Sequence, residues 1–190
     1  MGLVALLGLL TGCVTRPALE PVECRARFPA MFGKINIPEV MSEVALQFCS
    51  SREGPLNPLI TENDHVVVPD FLEIGGFSTG MTGMVLGEAT RGALSEVCRH
   101  RVRQIDLGKT IRLGSDGVIA LTRDPGRIAR SEFSSRWGYV GLYAEFPGKL
   151  LLSVRELDME SGATTRVVTK QVTYGCALVE GEYKFSYQVN

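Results

Sequence analysis

Gly138 to Phe146 (GYVGLYAEF), then Pro147-Gly148, then Lys149 to Asp158 (KLLLSVRELD) read as two strands joined at a turn, because a Pro-Gly pair punctuates the chain. Working outward, Glu160-Ser161-Gly162 turns the chain into a further strand over 164–174. Tyr183, Phe185, Tyr187 and Val189 alternate with Lys184, Ser186 and Gln188. That period of two implies a terminal strand with one buried face. Upstream, the β-branched run His65-Val66-Val67-Val68 marks a buried strand at 65–72, ended by Gly75-Gly76. Further strands are expected at Val102–Leu107, Ile111–Leu113 and Val118–Thr122.

Three helices are expected among these strands. Ile37, Val40, Met41, Val44, Ala45 and Phe48 recur at helical spacing, with Pro38 near the start and Glu39 in the first turn, so the first covers about 38–50. The second covers about 79–98. There Met81, Val85, Ala89, Leu94 and Val97 face one way, and Met84 and Leu86 broaden the stripe. Such a Met-rich stripe reads as core packing. Asp124-Pro125 supplies an N-cap and a first-turn proline for a short helix to about Ser135. The order of elements predicts an α/β (α+β) fold, a mixed β-sheet with two to three helices packed on it, in a single domain.

Composition sets limits on function. The 190 residues carry 20 Lys+Arg against 21 Asp+Glu, with 45% hydrophobic and 22% charged residues, which is globular and not disordered. A near-neutral chain without a long basic run lacks the positive patch that nucleic-acid binding needs. After the first dozen residues, no apolar stretch approaches the ~20 needed to span a bilayer.

Gly2 to Gly12 (GLVALLGLLTG) is uncharged and mostly apolar, and leads into Leu10-Thr11-Gly12-Cys13. The run has the length of a secretory h-region and is too short for a spanning helix. No Lys or Arg precedes it, a departure from the usual basic n-region. The tetrapeptide resembles a bacterial lipobox. That likeness implies a signal peptide at 1–12 and a Cys13 that carries diacylglycerol on its thiol and an acyl chain on its new amine. Apart from this covalent lipid, no cofactor is expected. Two or more chains, at ~0.8 kcal/mol per buried methylene, give stable attachment. Val14 stands where inner-membrane lipoproteins commonly have Asp, so the expected location is the periplasmic face of the outer membrane. Pro17, Pro21 and Pro29 mark residues 13–36 as a tether. About twenty residues of it reach ~70 Å when extended and ~25 Å when relaxed.

Cys24, Cys49, Cys98 and Cys176 remain. An even number in an exported chain points to disulfides, with three pairings open. A zinc site is the rival, but there is no C-x-x-C pair, and His65 and His100 stand alone in the sequence, so no metal is expected. A catalytic thiol would want a His and a third orienting group. No G-x-S-x-G, H-E-x-x-H, Walker or dinucleotide motif occurs. Gly75-Gly76 and Gly80-x-x-Gly83 fit a helix entry better than a phosphate loop. Glu156 and Asp158 share a strand face and are expected to flank solvent, while Arg123-Asp124 and Arg155-Glu156 read as surface charges. No catalytic residue is expected, and the protein is read as not an enzyme.

Five segments together resemble the FlgO domain family of flagellar outer-membrane lipoproteins. They are Val66-Val67-Val68-Pro69-Asp70-Phe71, the Gly80–Val97 helix, Ile111 to Gly117 leading to Leu121-Thr122-Arg123, Val140-Gly141-Leu142-Tyr143, and Arg155-x-x-Asp158-x-x-x-Gly162. The likeness runs from about residue 37 to 174 and implies a FlgO-like α/β domain over 37–190. It further implies a non-catalytic structural or assembly role in the flagellum, needed for motility, with the membrane and other envelope or flagellar proteins as partners. The fold that such domains resemble also occurs in secretion-pore subunits and in lipoproteins that activate cell-wall synthases. The alternative expectation is therefore a periplasmic regulatory binding lipoprotein acting on a cell-envelope enzyme or secretion machine.

Overall fold

The computed structural model describes residues 24, 28–50, 60, 64–104, 111–114, 117–120 and 135–190. In chain order these form a 3-10 turn (Phe28–Met31), α1 (Ile37–Ser50), β1 (His65–Val67), β2 (Leu72–Glu73), α2 (Met81–Val97) and β3 (Arg101–Arg103). There follow β4 (Ile111–Gly114), β5 (Gly117–Ala120), β6 (Trp137–Phe146), β7 (Lys149–Asp158), β8 (Thr164–Val179) and β9 (Glu182–Val189). The main sheet runs β3-β1-β6-β7-β8-β9, and β2 also pairs with β6. β1 is parallel to β3 and β6, whereas β6 to β9 form an antiparallel meander. β4 and β5 pair as a separate hairpin. The fold is the expected mixed α+β domain, with α1 packed on α2 and β8.

Alternation along β7 builds the core. Leu150, Leu152 and Val154 point to the helix-covered face and meet Val168, Val172 and Tyr174 of β8. Val40, Met41, Val44 and Phe48 close that face from α1, and Leu86 and Leu94 close it from α2. Each such side chain contributes ~1.5–3 kcal/mol on burial. Behind the sheet, Leu72, Val140, Leu142 and Leu157 make a smaller cluster. β6 is therefore buried on both faces over Trp137–Tyr143.

The sequence spacing and the structure part company at β1. The expected strand at 65–72 is split in two around Pro69, which has no N–H to give a ladder. Val67 pairs with Gly138 and Leu72 with Leu142, so five steps on one strand face four on the other and the chain bulges. The bulged segment is held by α2. Phe71 N–H donates to the Gly83 carbonyl at 3.0 Å. Arg91 donates to the Val68 carbonyl at 3.1 Å and to Asp70 at 3.0 Å.

This contact turns α2 away from the orientation its apolar spacing implies. A Cβ on Gly83 would run into the Phe71 carbonyl, so only glycine lets the helix lie against that backbone. The inward face is Thr82, Gly83, Leu86, Gly87, Thr90, Ala93 and Leu94. Val85, Ala89 and Val97 are half-buried, and Met81 and Met84 are 65% and 51% exposed. Of the expected stripe, Leu86 and Leu94 are core and Val85, Ala89 and Val97 pack at its edge, whereas the two methionines are surface.

Boundaries move elsewhere too. Residues 28–36 belong to the packed domain and not to the tether, because Phe28, Met31 and Ile35 are buried in the core. Phe28 lies 6.0 Å from Tyr174, ring to ring. β8 continues past 174 to Val179 and turns into β9 through Glu180 and Gly181, both with positive φ, as a two-residue hairpin turn requires. β3 covers Arg101–Arg103, and residues 105–107 of the expected strand fall outside the described residues. β4 covers the expected strand at 111–113 and β5 covers 118–120 of the one expected at 118–122, whose last two residues fall outside the described residues. The short helix expected at 124–135 and the pair Arg123-Asp124 fall outside the described residues up to Ser135. Residues 1–23 do as well, so the expected signal segment, Cys13 and most of the expected tether are not described.

Candidate functional site

Cysteine pairing is the first geometric result. Cys24 joins Cys176 across a separation of 152 residues, with Cα atoms 5.4 Å apart. Cys49 joins Cys98 across 49 residues, with Cα atoms 5.6 Å apart. Both spacings lie within the usual 4.4–6.8 Å for such bridges. Closing loops of these lengths constrains the unfolded chain by about 5 and about 4 kcal/mol in the chain-entropy treatment. The first bridge ties the N-terminal segment to the β8–β9 hairpin. The second locks the C-terminal ends of α1 and α2 together.

Around the second bridge lies a buried polar chain. Past the α2 cap at Cys98, Arg99 takes a left-handed φ of 57°, and His100 N–H returns to the Leu94 carbonyl at 3.3 Å. That turn folds His100 under the helix end, where the ligand atoms of Cys49, Cys98 and His100 lie within 4.8 Å of one another. The Tyr139 hydroxyl stands 3.4 Å from His100 Nε2 and donates to Glu156 Oε2 at 3.1 Å. Thr165 Oγ1 donates to Glu156 Oε1 at 2.7 Å. Glu156 is only 8% exposed, and these two donors replace the water its carboxylate loses.

Asp158 is also 8% exposed. It accepts from Arg136 at 3.0 Å and from the N–H of Glu160 at 2.9 Å. Arg136 in turn lies over the Trp137 ring, 5.0 Å from its centroid. The Arg136 hydrogen bond, helped by the N–H groups of Glu160 and Ser161, lowers the Asp158 carboxyl from its ordinary 3.8 although burial opposes this.

The expectation that Glu156 and Asp158 flank solvent is therefore corrected, as is the surface reading of Arg155-Glu156 for its glutamate. The signal was present: the period that sends Leu150, Leu152 and Val154 inward continues to 156 and 158. Tyr139 and Trp137 sit directly opposite them on β6. The convergence of His100 on two cysteines left no local signal, because 49 and 98 meet only when the two helices pack.

A second region is exposed and apolar. Ile74, Phe77, Met81 and Met84 all keep large exposed surfaces in the turn after β2 and the first turn of α2. Phe77 has a left-handed φ of 48° and donates its N–H to the Glu73 carbonyl at 2.8 Å. A bulky residue rarely holds that conformation without support. Beside it are the carboxylates of Glu73 and Glu145. Tyr143 lies among them: burial first, then the charges of Glu73 and Glu145, raise its hydroxyl from the ordinary 10.0. Thr82 at the helix start donates to Glu145 at 2.7 Å, and the Gly80 backbone approaches the Tyr143 hydroxyl. An apolar cluster rimmed by acid is the result.

Fold and site together define a disulfide-stapled α+β domain, with a helix pair on one face of its sheet and an acid-rimmed apolar knob at one end. No family model and no curated protein sequence matches the chain. Among solved structures, the LpoB C-terminal domain from Salmonella enterica is similar with a TM-score of 0.49 at 10% identity, covering 73% of this chain and 99% of that one. The LpoB C-terminal domain from Escherichia coli has a TM-score of 0.45 at 10% identity, covering 71% and 96%. No residue role is carried over from either.

Proposed function

We propose that this protein is a lipid-anchored regulatory binding module of the cell envelope, acting by docking on a cell-envelope enzyme or secretion machine. The observation that carries this reading is the apolar knob of Ile74, Phe77, Met81 and Met84. Exposed clusters of this kind mark interaction sites, and Phe and Met are favoured in the cores of protein interfaces. The acidic rim of Glu73 and Glu145 selects the kind of partner. Like charge repels it from an anionic lipid surface and suits it to a protein surface with an apolar pocket and a basic edge. The lipobox-like Leu10-Thr11-Gly12-Cys13 would keep the domain within tether length of the membrane.

A photo-crosslinking amino acid placed at Phe77 of the full chain, expressed in its own cells, tests the reading. The expected product is a protein adduct that is lost on Met81→Ser with the fold intact by circular dichroism. Adducts to lipid alone, or a protein adduct indifferent to Met81→Ser, would refute it. The second reading, a structural component of the flagellum, rests on the five-segment resemblance. Recovery of a flagellar protein in the adduct, with loss of swimming in Met81→Ser, favours that reading over the first.

A further inference from the structure

We infer that Cys49, Cys98 and His100 form a metal site for a thiophilic divalent cation such as zinc when the Cys49–Cys98 bridge is open. The bridge and the metal site are alternative states of the same three side chains. A tetrahedral zinc ion, with bonds of about 2.3 Å to sulfur and 2.0–2.1 Å to nitrogen, needs its sulfur and nitrogen ligands about 3.6–3.8 Å apart. The three ligand atoms already lie within 4.8 Å of one another, and the cysteine Cα atoms stand 5.6 Å apart. Opening the bridge therefore asks for side-chain rotation and not for movement of either helix.

The surroundings fit an imidazole ligand. Tyr139 commits its hydroxyl hydrogen to Glu156 Oε2 at 3.1 Å, so towards His100 Nε2 at 3.4 Å it offers an oxygen lone pair. Nε2 accordingly carries the proton, and Nδ1 carries the lone pair that binds metal. An oxygen behind the far nitrogen of a ligating histidine, itself backed by a carboxylate, is the usual outer support of such sites. Thr165 fixes the other oxygen of that carboxylate at 2.7 Å.

Charge is balanced as well. Two thiolates and a divalent ion sum to zero, so burial beside Cys98 and His100, both nearly inaccessible, does not strand a net charge. Cys49 is the half-buried member and gives the ion its way in. Three protein ligands leave the fourth position to water.

The conversion balances. A dithiol reductant passes two electrons and two protons to the Cys49–Cys98 bond and leaves as its own disulfide. Each new thiol then releases a proton to solvent as its sulfur binds the ion.

The experiment reduces the full chain anaerobically with a dithiol, removes the reductant and titrates Co²⁺, followed by Zn²⁺. We expect a near-ultraviolet thiolate-to-cobalt charge-transfer band and tetrahedral visible bands at one equivalent, bleached by zinc. The oxidised chain should give neither. Cys24→Ser/Cys176→Ser should keep the bands, and Cys13 is common to all variants. Cys49→Ser should lose them, His100→Ala should lose or greatly weaken them, and Tyr139→Phe should weaken binding roughly 10-fold. Circular dichroism checks each fold, and Cys49→Ser is the main test because its side chain is not fully enclosed. Three results overturn the proposal: no charge-transfer band in the reduced, folded chain; bands that persist in Cys49→Ser; or loss of the fold on reduction before metal is added.

Discussion

Gly141 lies on β6 directly beneath the ring of Phe71, and a Cβ there would overlap three ring atoms well inside van der Waals contact. Phe71 is itself 1% exposed, with its backbone fixed to Gly83 of α2. To regain the normal 3.5–4.0 Å spacing, the ring would have to retreat by roughly 2 Å into packed atoms. Overpacking of this kind costs about 1–3 kcal/mol, and the close overlap places Gly141→Ala at the upper end, about 2–3 kcal/mol. For a chain of this length that corresponds to a fall in Tm of roughly 5–10 °C. Phe71→Ala alone leaves a cavity and costs about 3–5 kcal/mol. In the double variant the new methyl occupies space the ring has vacated, so the two costs must not add. The expected total is close to that of Phe71→Ala alone, with a coupling of about 2–3 kcal/mol. Denaturant unfolding of the four oxidised proteins, followed by circular dichroism, completes the cycle. Additive costs, or a Gly141→Ala protein as stable as its parent, would refute the account of how α2, the bulged segment and β6 are held together.

The remaining expectations concern the core and the acidic groups. Leu94→Ala removes a fully enclosed side chain of α2 and should cost about 2–5 kcal/mol in the same assay; an unchanged Tm with altered crosslinking at Phe77 would instead make Leu94 part of the interface. Asp158 has a folded-state pKa below its unfolded value, so its contribution is present above the ordinary 3.8 and is lost as pH falls through the lowered value. Asp158→Asn should therefore reduce stability at pH 7 and flatten its decline below pH about 4; parallel acid-denaturation curves for the two proteins would contradict this.

Local pattern made much of the fold legible. Residues 37–50 repeat at helical spacing because one side of α1 must meet the core. Strands β6 and β7, with their Pro147-Gly148 turn, declare themselves because Leu150, Leu152 and Val154 alternate with residues that do not enter it. Even Glu156 and Asp158 obey this alternation. Their chemical type disguised their burial, since a carboxylate is admitted to a core only when partners such as Tyr139, Thr165 and Arg136 await it, and those partners come from β6, from the residue just before it and from beyond the next turn.

Tertiary structure alone decided the rest. Apolar spacing in α2 favours a face containing Met81 and Val85, but the approach of the Phe71 backbone to Gly83 selects the face of small residues and leaves the methionines outside. Hydrophobicity counts the area a side chain could bury, and it does not see that a missing Cβ allows backbone-to-backbone contact. Likewise, four cysteines permitted three pairings. Only the packing of α1 on α2 brought Cys49 to Cys98, and only the left-handed turn at Arg99 set His100 beside them. Pairing depends on distance in space, and the chain separations of 49 and 152 residues carry no information about that distance until the chain has folded.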